Sequence, residues 1–123
     1  MIRPDEALLI IKGWFDSKSE LILSASMINF SVYSKCRIVG IEGDKVTLWS
    51  ADDGAAVFSF SVDSPHLELR YSELREFKGK PGIEDASEER LDKSALIVSL
   101  ALKELDPLTP ADVTVERIIL QEL

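Results

Sequence analysis

Through residues 35–71 apolar side chains fall on every second position, and turn residues interrupt them at 43–44, 53–54 and 63–65. Phe58, Phe60 and Val62 share one face of such an extended segment, and Leu67, Leu69 and Tyr71 share one face of the next. That is the period of a half-buried strand. Asp53-Gly54 suits a tight hairpin because both residues tolerate positive φ, and Gly43-Asp44 carries the same chemistry in reverse order. Pro65 cannot donate to a ladder and so belongs at a strand end. The spacing predicts strands over 33–42, 46–49, 56–62 and 66–71. Both faces of the first carry apolar residues, with Cys36 and Ile38 on one side and Val39 and Ile41 on the other, as in a central strand.

Ahead of the meander the period changes. Ala7, Ile10 and Trp14, with Leu8, Ile11 and Phe15 one position on, repeat at helical spacing and predict a helix over 4–16. Pro4 fits its first position, and Asp5 and Glu6 sit near the positive end of its dipole. From Glu20 the alternation begins: Leu21, Leu23, Ala25 and Met27 share a face, whereas Ile28, Phe30 and Val32 continue in opposite phase. A bulge, a bend or a short connection must absorb that slip; a bend is expected near Met27.

Beyond Phe77 the pattern stops, and a polar linker over 77–90 follows. Leu91, Ala95, Val98, Leu102 and Leu105 fit a helix with Ser87 as its N-cap, yet 95–100 also reads as a buried strand. Thr109-Pro110-Ala111-Asp112 has the grammar of a helix start, whereas Val113, Thr114, Val115, Ile118 and Ile119 favour a strand. The reading adopted is a C-terminal β-hairpin, 94–102 with 113–122. The expectation is an α+β protein: an N-terminal helix and a bent five-stranded antiparallel meander, small and barrel-like, over 1–76, then the linker, then a C-terminal extension over 91–123 packed on the same domain.

The chain has 123 residues, enough for one core without staples. Its 22 acidic and 14 basic residues leave a net charge of −8, which repels a phosphate backbone unless the cations gather on one face. They are spread among acids instead, so nucleic-acid binding is disfavoured. Cys36 is the only cysteine, so neither an intrachain disulfide nor a cysteine cluster can form. The first residues lack a signal-peptide pattern, and no run reaches the roughly 18 apolar residues of a membrane-spanning helix. A cytoplasmic location is expected.

A helix followed by about five short, bent strands resembles the Sm-like and SH3-like small barrels over residues 4–71. Within 33–42, Gly40 is the nearest local match to the long second strand of the Sm group. The resemblance implies a small barrel. The Asp and Asn of the Sm RNA-reading loop are not found around Gly43-Asp44-Lys45, and Ser64-Pro65-His66 stands where the second motif would be, so RNA binding does not carry over.

Candidate chemistry is sparse. His66, the only histidine, is a candidate general base, but no Gly-x-Ser-x-Gly accompanies it and a two-histidine metal site is impossible. Asp44, Asp52, Asp53 and Asp63 lie at hairpin tips without calcium-loop spacing. Gly79-Lys80-Pro81-Gly82 lacks the phosphate-loop spacing, and Glu84, Asp85, Glu88 and Glu89 read as a solvated run. No cofactor is implied. Trp49 is opposite in phase to Val46 and Leu48, and with Val39 and Ile41 it forms the candidate interface. The expected role is non-catalytic binding or assembly, by self-association or contact with a protein partner. The alternatives are a small carboxylate- and histidine-dependent enzyme and an RNA-binding barrel.

Overall fold

The structure, a computed structural model, describes residues 1–26, 31–50, 56–63, 67–79, 83, 86–100 and 117–123. Helix α1 (Pro4–Asp16) leads into β1 (Leu21–Ser26), β2 (Ser31–Glu42), β3 (Lys45–Ser50), β4 (Ala56–Ser61) and β5 (Leu67–Glu73). A 3₁₀ turn (Leu74–Phe77) and the short helix α2 (Glu88–Leu91) precede β6 (Ser94–Leu100) and β7 (Arg117–Glu122). All strand pairings are antiparallel, and they join seven strands into one sheet in the order β4-β3-β2-β1-β7-β6-β5.

The strand count therefore exceeds the five expected, for an identifiable reason. β7 is not an extension laid on a finished domain; it inserts between β1 and β6. β5 does not continue the meander beside β4 but pairs along its whole length with β6. Alternation reports which face a side chain takes and is silent about the neighbouring strand. The phase slip near Met27 is a chain reversal: Ser26 pairs with Ser31, so β1 and β2 are two strands, and the connecting residues 27–30 lie outside the described residues.

β4 and β5 form opposite edges of the sheet, yet only residues 62–66 join them. Those six Cα steps reach at most ~22 Å, whereas a flat seven-stranded sheet sets its edges ~29 Å apart. The sheet is therefore curled. It is not closed, because no ladder links β4 to β5 among the described residues.

The curl encloses one core. Ala7, Ile11 and Trp14 from α1 pack against Leu21, Leu23, Cys36, Ile38, Val46, Leu48, Val62, Leu69, Leu96, Val98 and Leu120. Burying each large aliphatic side chain contributes about 1.5–3 kcal/mol. α1 starts as its sequence prescribes, with Pro4 in its first turn beside Asp5 and Glu6. Its far end is tied to β7, since Trp14 Nε1 donates to Glu122 Oε2 (3.2 Å) and Ser19 Oγ donates to Oε1 (3.4 Å).

The opposite face of β6 and β7 is covered by a second cluster. Leu74, Ile83 and Leu91 from the connecting segment pack on Ala95, Ile97 and Ile119, with Phe77 and Ala86 at the margin. Polar bonds fix this cover. Ser87 caps α2 by accepting from the Arg90 backbone N–H (3.3 Å). Gln121, fully buried on β7, donates to the carbonyls of Arg90 (2.8 Å) and Lys93 (3.1 Å) and accepts from Arg90 Nε (3.1 Å). The Arg90 guanidinium lies over the Tyr33 ring (5.4 Å), and that of Arg117 over Phe77 (5.2 Å). Phe77, Ile83, Ala86, Ser87 and Arg90 of the segment 77–90 thus take part in this packing.

Candidate interaction surface

The two sheet edges differ in chemistry. β5 carries Glu68, Arg70 and Glu73, and its outer backbone is partly occupied, since the Ile2 N–H donates to the Leu69 carbonyl (2.9 Å). Charges and covering segments are the usual protection of an edge. Among the described residues β4 has neither: it reads Ala-Val-Phe-Ser-Phe-Ser, and no strand pairs with its outer side. Two other strands, β1 and β6, are also free of charged residues, and both are paired on each side. β4 has the composition of an interior strand and the position of an edge.

Next to this edge the outer face of the sheet carries exposed apolar side chains among polar ones. Trp49 and Val57 are direct cross-strand partners on β3 and β4, and Arg37 faces Trp49 from β2. Val57 is 64% exposed, Val39 52% and Trp49 38%. Thr47 and Ser59, the next cross-strand pair, share a hydrogen bond between hydroxyls (3.3 Å).

Of the three sequence candidates, Val39 and Trp49 are on the exposed face. Ile41 is placed differently: it is half-buried, pairs with the buried Val46 and packs on the main core. The cause is a β-bulge. Ile38 pairs with Leu48 and Gly40 with Thr47, so Val39 is an extra residue and the alternation reverses beyond it. Val57 was not among the candidates, though its phase opposite Phe60 carries the signal.

The remaining candidates are distributed as follows. Asp44 accepts a hydrogen bond from the Ser61 hydroxyl, which holds its carboxyl below the ordinary carboxylate range. Val62 N–H donates to the Asp44 carbonyl (3.0 Å), so this residue closes the β3–β4 end of the sheet. Asp63 is exposed. His66, Asp52 and Asp53 lie outside the described residues, as do Lys80, Pro81, Gly82, Glu84 and Asp85. Gly79 adopts φ +84°, a left-handed turn conformation suited to glycine. Glu88 pairs with Arg75 (2.7 Å), whose hydrogen bond and charge hold the Glu88 carboxyl below its usual range, and Glu89 lies 3.9 Å from Lys93. No group of three metal-binding side chains converges among the described residues. Cys36 is buried, and desolvation pushes its thiol up to about 11.

No described helix is long and apolar enough to cross a membrane. Comparison with protein-family models, with curated proteins and with solved structures finds no match to this chain.

Proposed function

We propose that this protein is a non-catalytic binding or assembly module that engages a polypeptide partner through the β4 side of its sheet. The observation that supports this reading is the uncharged β4, whose outer side no strand pairs among the described residues, beside the exposed Trp49, Val57 and Val39. An open strand edge presents backbone donors and acceptors to any extended chain, and a neighbouring apolar stripe adds area to such a contact. The curled sheet acts as a small, barrel-like scaffold in this reading, holding the edge on a core built around α1. A cytoplasmic setting suits a chain whose one thiol is buried away from oxidants.

The two tryptophans give a direct test. Trp14 is buried and bonded to Glu122, whereas Trp49 lies on the proposed surface. Spectra of ¹⁵N-labelled protein across a concentration series should show the Trp49 indole signal and the amides of 56–61 shifting or broadening, with Trp14 unmoved. Changes confined to β5 or α1 would remove the assignment to β4.

A further inference from the structure

We infer that the outer face of β7, β1 and β2 carries a binding site for a phosphate-type oxyanion, built by Arg117, Arg90 and Ser24. The site is separate from the β4 edge and does not depend on it. Among the described residues, three buried polar atoms of this face and its cover lack a hydrogen-bond partner: Ser24 Oγ, Arg90 Nη2 and Arg117 Nε. Each can donate, so what they lack in common is an acceptor. The register sets them side by side. Ser24, 2% exposed, faces Tyr33 on β2 and Ile119 on β7. Arg117 lies two residues before Ile119 on the same face and is therefore a diagonal neighbour of Ser24, a separation that a long side chain spans. Arg90 reaches the same place from the cover, with its guanidinium over the Tyr33 ring and its Nη1 donating to the Tyr33 hydroxyl (3.4 Å). Tyr33 is exposed, so a ligand enters past Arg90 from the surface and not through the core.

The charges point to an anion. Arg3 takes Asp5 and Glu6, and Arg75 takes Glu88 and Asp92, whereas no described carboxylate pairs with Arg90 or Arg117. Phe77 lies against the Arg117 guanidinium where an acid would be expected, and burial lowers the Arg117 pKa from its ordinary value. On the neighbouring rungs Lys35 and Arg70 share this face with a single acid, Glu68, which stands two strands from Arg117 with Ser99 between them. A chain of net charge −8 has here gathered cations. The three donors come from β1, β7 and the cover, and so from different directions. A planar carboxylate suits one guanidinium fork, whereas a tetrahedral phosphate offers an oxygen to each donor.

Titration of the ¹⁵N-labelled chain with inorganic phosphate, at an ionic strength held constant with chloride, tests the site. The Arg117 Nε–H signal and the amides of Ser24 and Tyr33 should move together and saturate. The Nε–H signals of Arg3 and Arg75, held by Glu6 and Asp92, should stay in place. Arg117→Gln should weaken binding about tenfold, the loss of a charge-assisted contact. A parallel titration with glycerol phosphate separates free phosphate from a phosphate monoester, and saturable binding of either supports the site. Shifts that never saturate in the wild type, or that Arg3 and Arg75 share, would reduce phosphate to a screening ion and overturn it. Acetate acting as strongly as phosphate would overturn the phosphate assignment. An Arg117 Nε–H that is already protected from water exchange without added anion, and that no titrant moves, would show that an acid of this chain fills the place and would end the proposal. None of these outcomes bears on the β4 reading, whose signals are the Trp49 indole and the amides of 56–61.

Discussion

Trp49 and Val57 face each other across β3 and β4 on the outer side of the sheet, Val57 on the edge strand itself and Trp49 one strand in, and no strand pairs with that edge among the described residues. Both side chains are exposed, and both belong to strands whose other faces build the core through Val46, Leu48 and Phe60. The same two strands thus hold the fold together on one side and expose Trp49 and Val57 on the other. Val57→Lys places a charge in that surface without disturbing the core. Stability in urea should change by no more than about 0.5 kcal/mol, and the concentration-dependent shift of the Trp49 signal should disappear.

Gln121 should be among the most sensitive polar positions. Its amide makes three hydrogen bonds that join β7 to the α2 segment, and it is 1% exposed. Gln121→Leu keeps the volume but leaves the Arg90 Nε–H without its acceptor and takes one donor from each of the Arg90 and Lys93 carbonyls, which keep the backbone N–H groups of Lys93 and Leu74. The expected loss is about 1–3 kcal/mol, read as a lower urea midpoint. Exposed Leu9 on α1 provides the contrast, since Leu9→Gln should leave that midpoint nearly unchanged.

Glu122 clamps the end of α1 through the Trp14 indole N–H and the Ser19 hydroxyl. Glu122→Ala removes both acceptors and leaves the indole N–H unpaired at a partly buried site. Destabilisation of about 1–2 kcal/mol follows, checked by equilibrium denaturation with Trp14 fluorescence as the probe.

The Cys36 thiol gives a pH signature. Burial raises its pKa from 9.0 to about 11, so the folded protein keeps its proton where the unfolded chain has lost it. A raised folded-state pKa contributes stability that is whole below pH 9 and declines as pH climbs from 9 towards 11. Cys36→Ala should remove that part of the decline, measured by denaturation at several pH values. A thiol-specific reagent at neutral pH should label the native protein only as fast as it unfolds.

The parts of this fold readable in the residues were those carried by local period and local chemistry. Ala7, Ile11 and Trp14 announced α1, Pro4 its start, Ser87 the cap of α2, and the alternation around Phe60 and Leu69 marked β4 and β5. The sheet order was not readable, because nothing in Leu67–Glu73 states that its neighbour is β6, three elements later, instead of β4. Val39 shows a second reason. A bulge costs the sequence no distinctive residue, yet it turned Ile41 from the surface into the core. The second core cluster escaped notice because Leu74, Ile83 and Leu91 are isolated apolar residues in a polar stretch, and only the sheet face beneath them joins them. The proposed surface was half visible: Trp49 and Val39 followed from phase, whereas the edge left unpaired among the described residues required the strand order.

Sedimentation velocity of the wild-type chain beside Ser59→Lys tests the central claim most directly. The series should run from about 1 μM to 1 mM, a span matching association free energies of about −8 to −4 kcal/mol. The wild type should pass from a species of 13.7 kDa to one of twice that mass, while Ser59→Lys, with a charge on its edge strand, stays at the monomer mass. A wild type that remains monomeric throughout, or a Ser59→Lys variant that dimerises equally well, contradicts it.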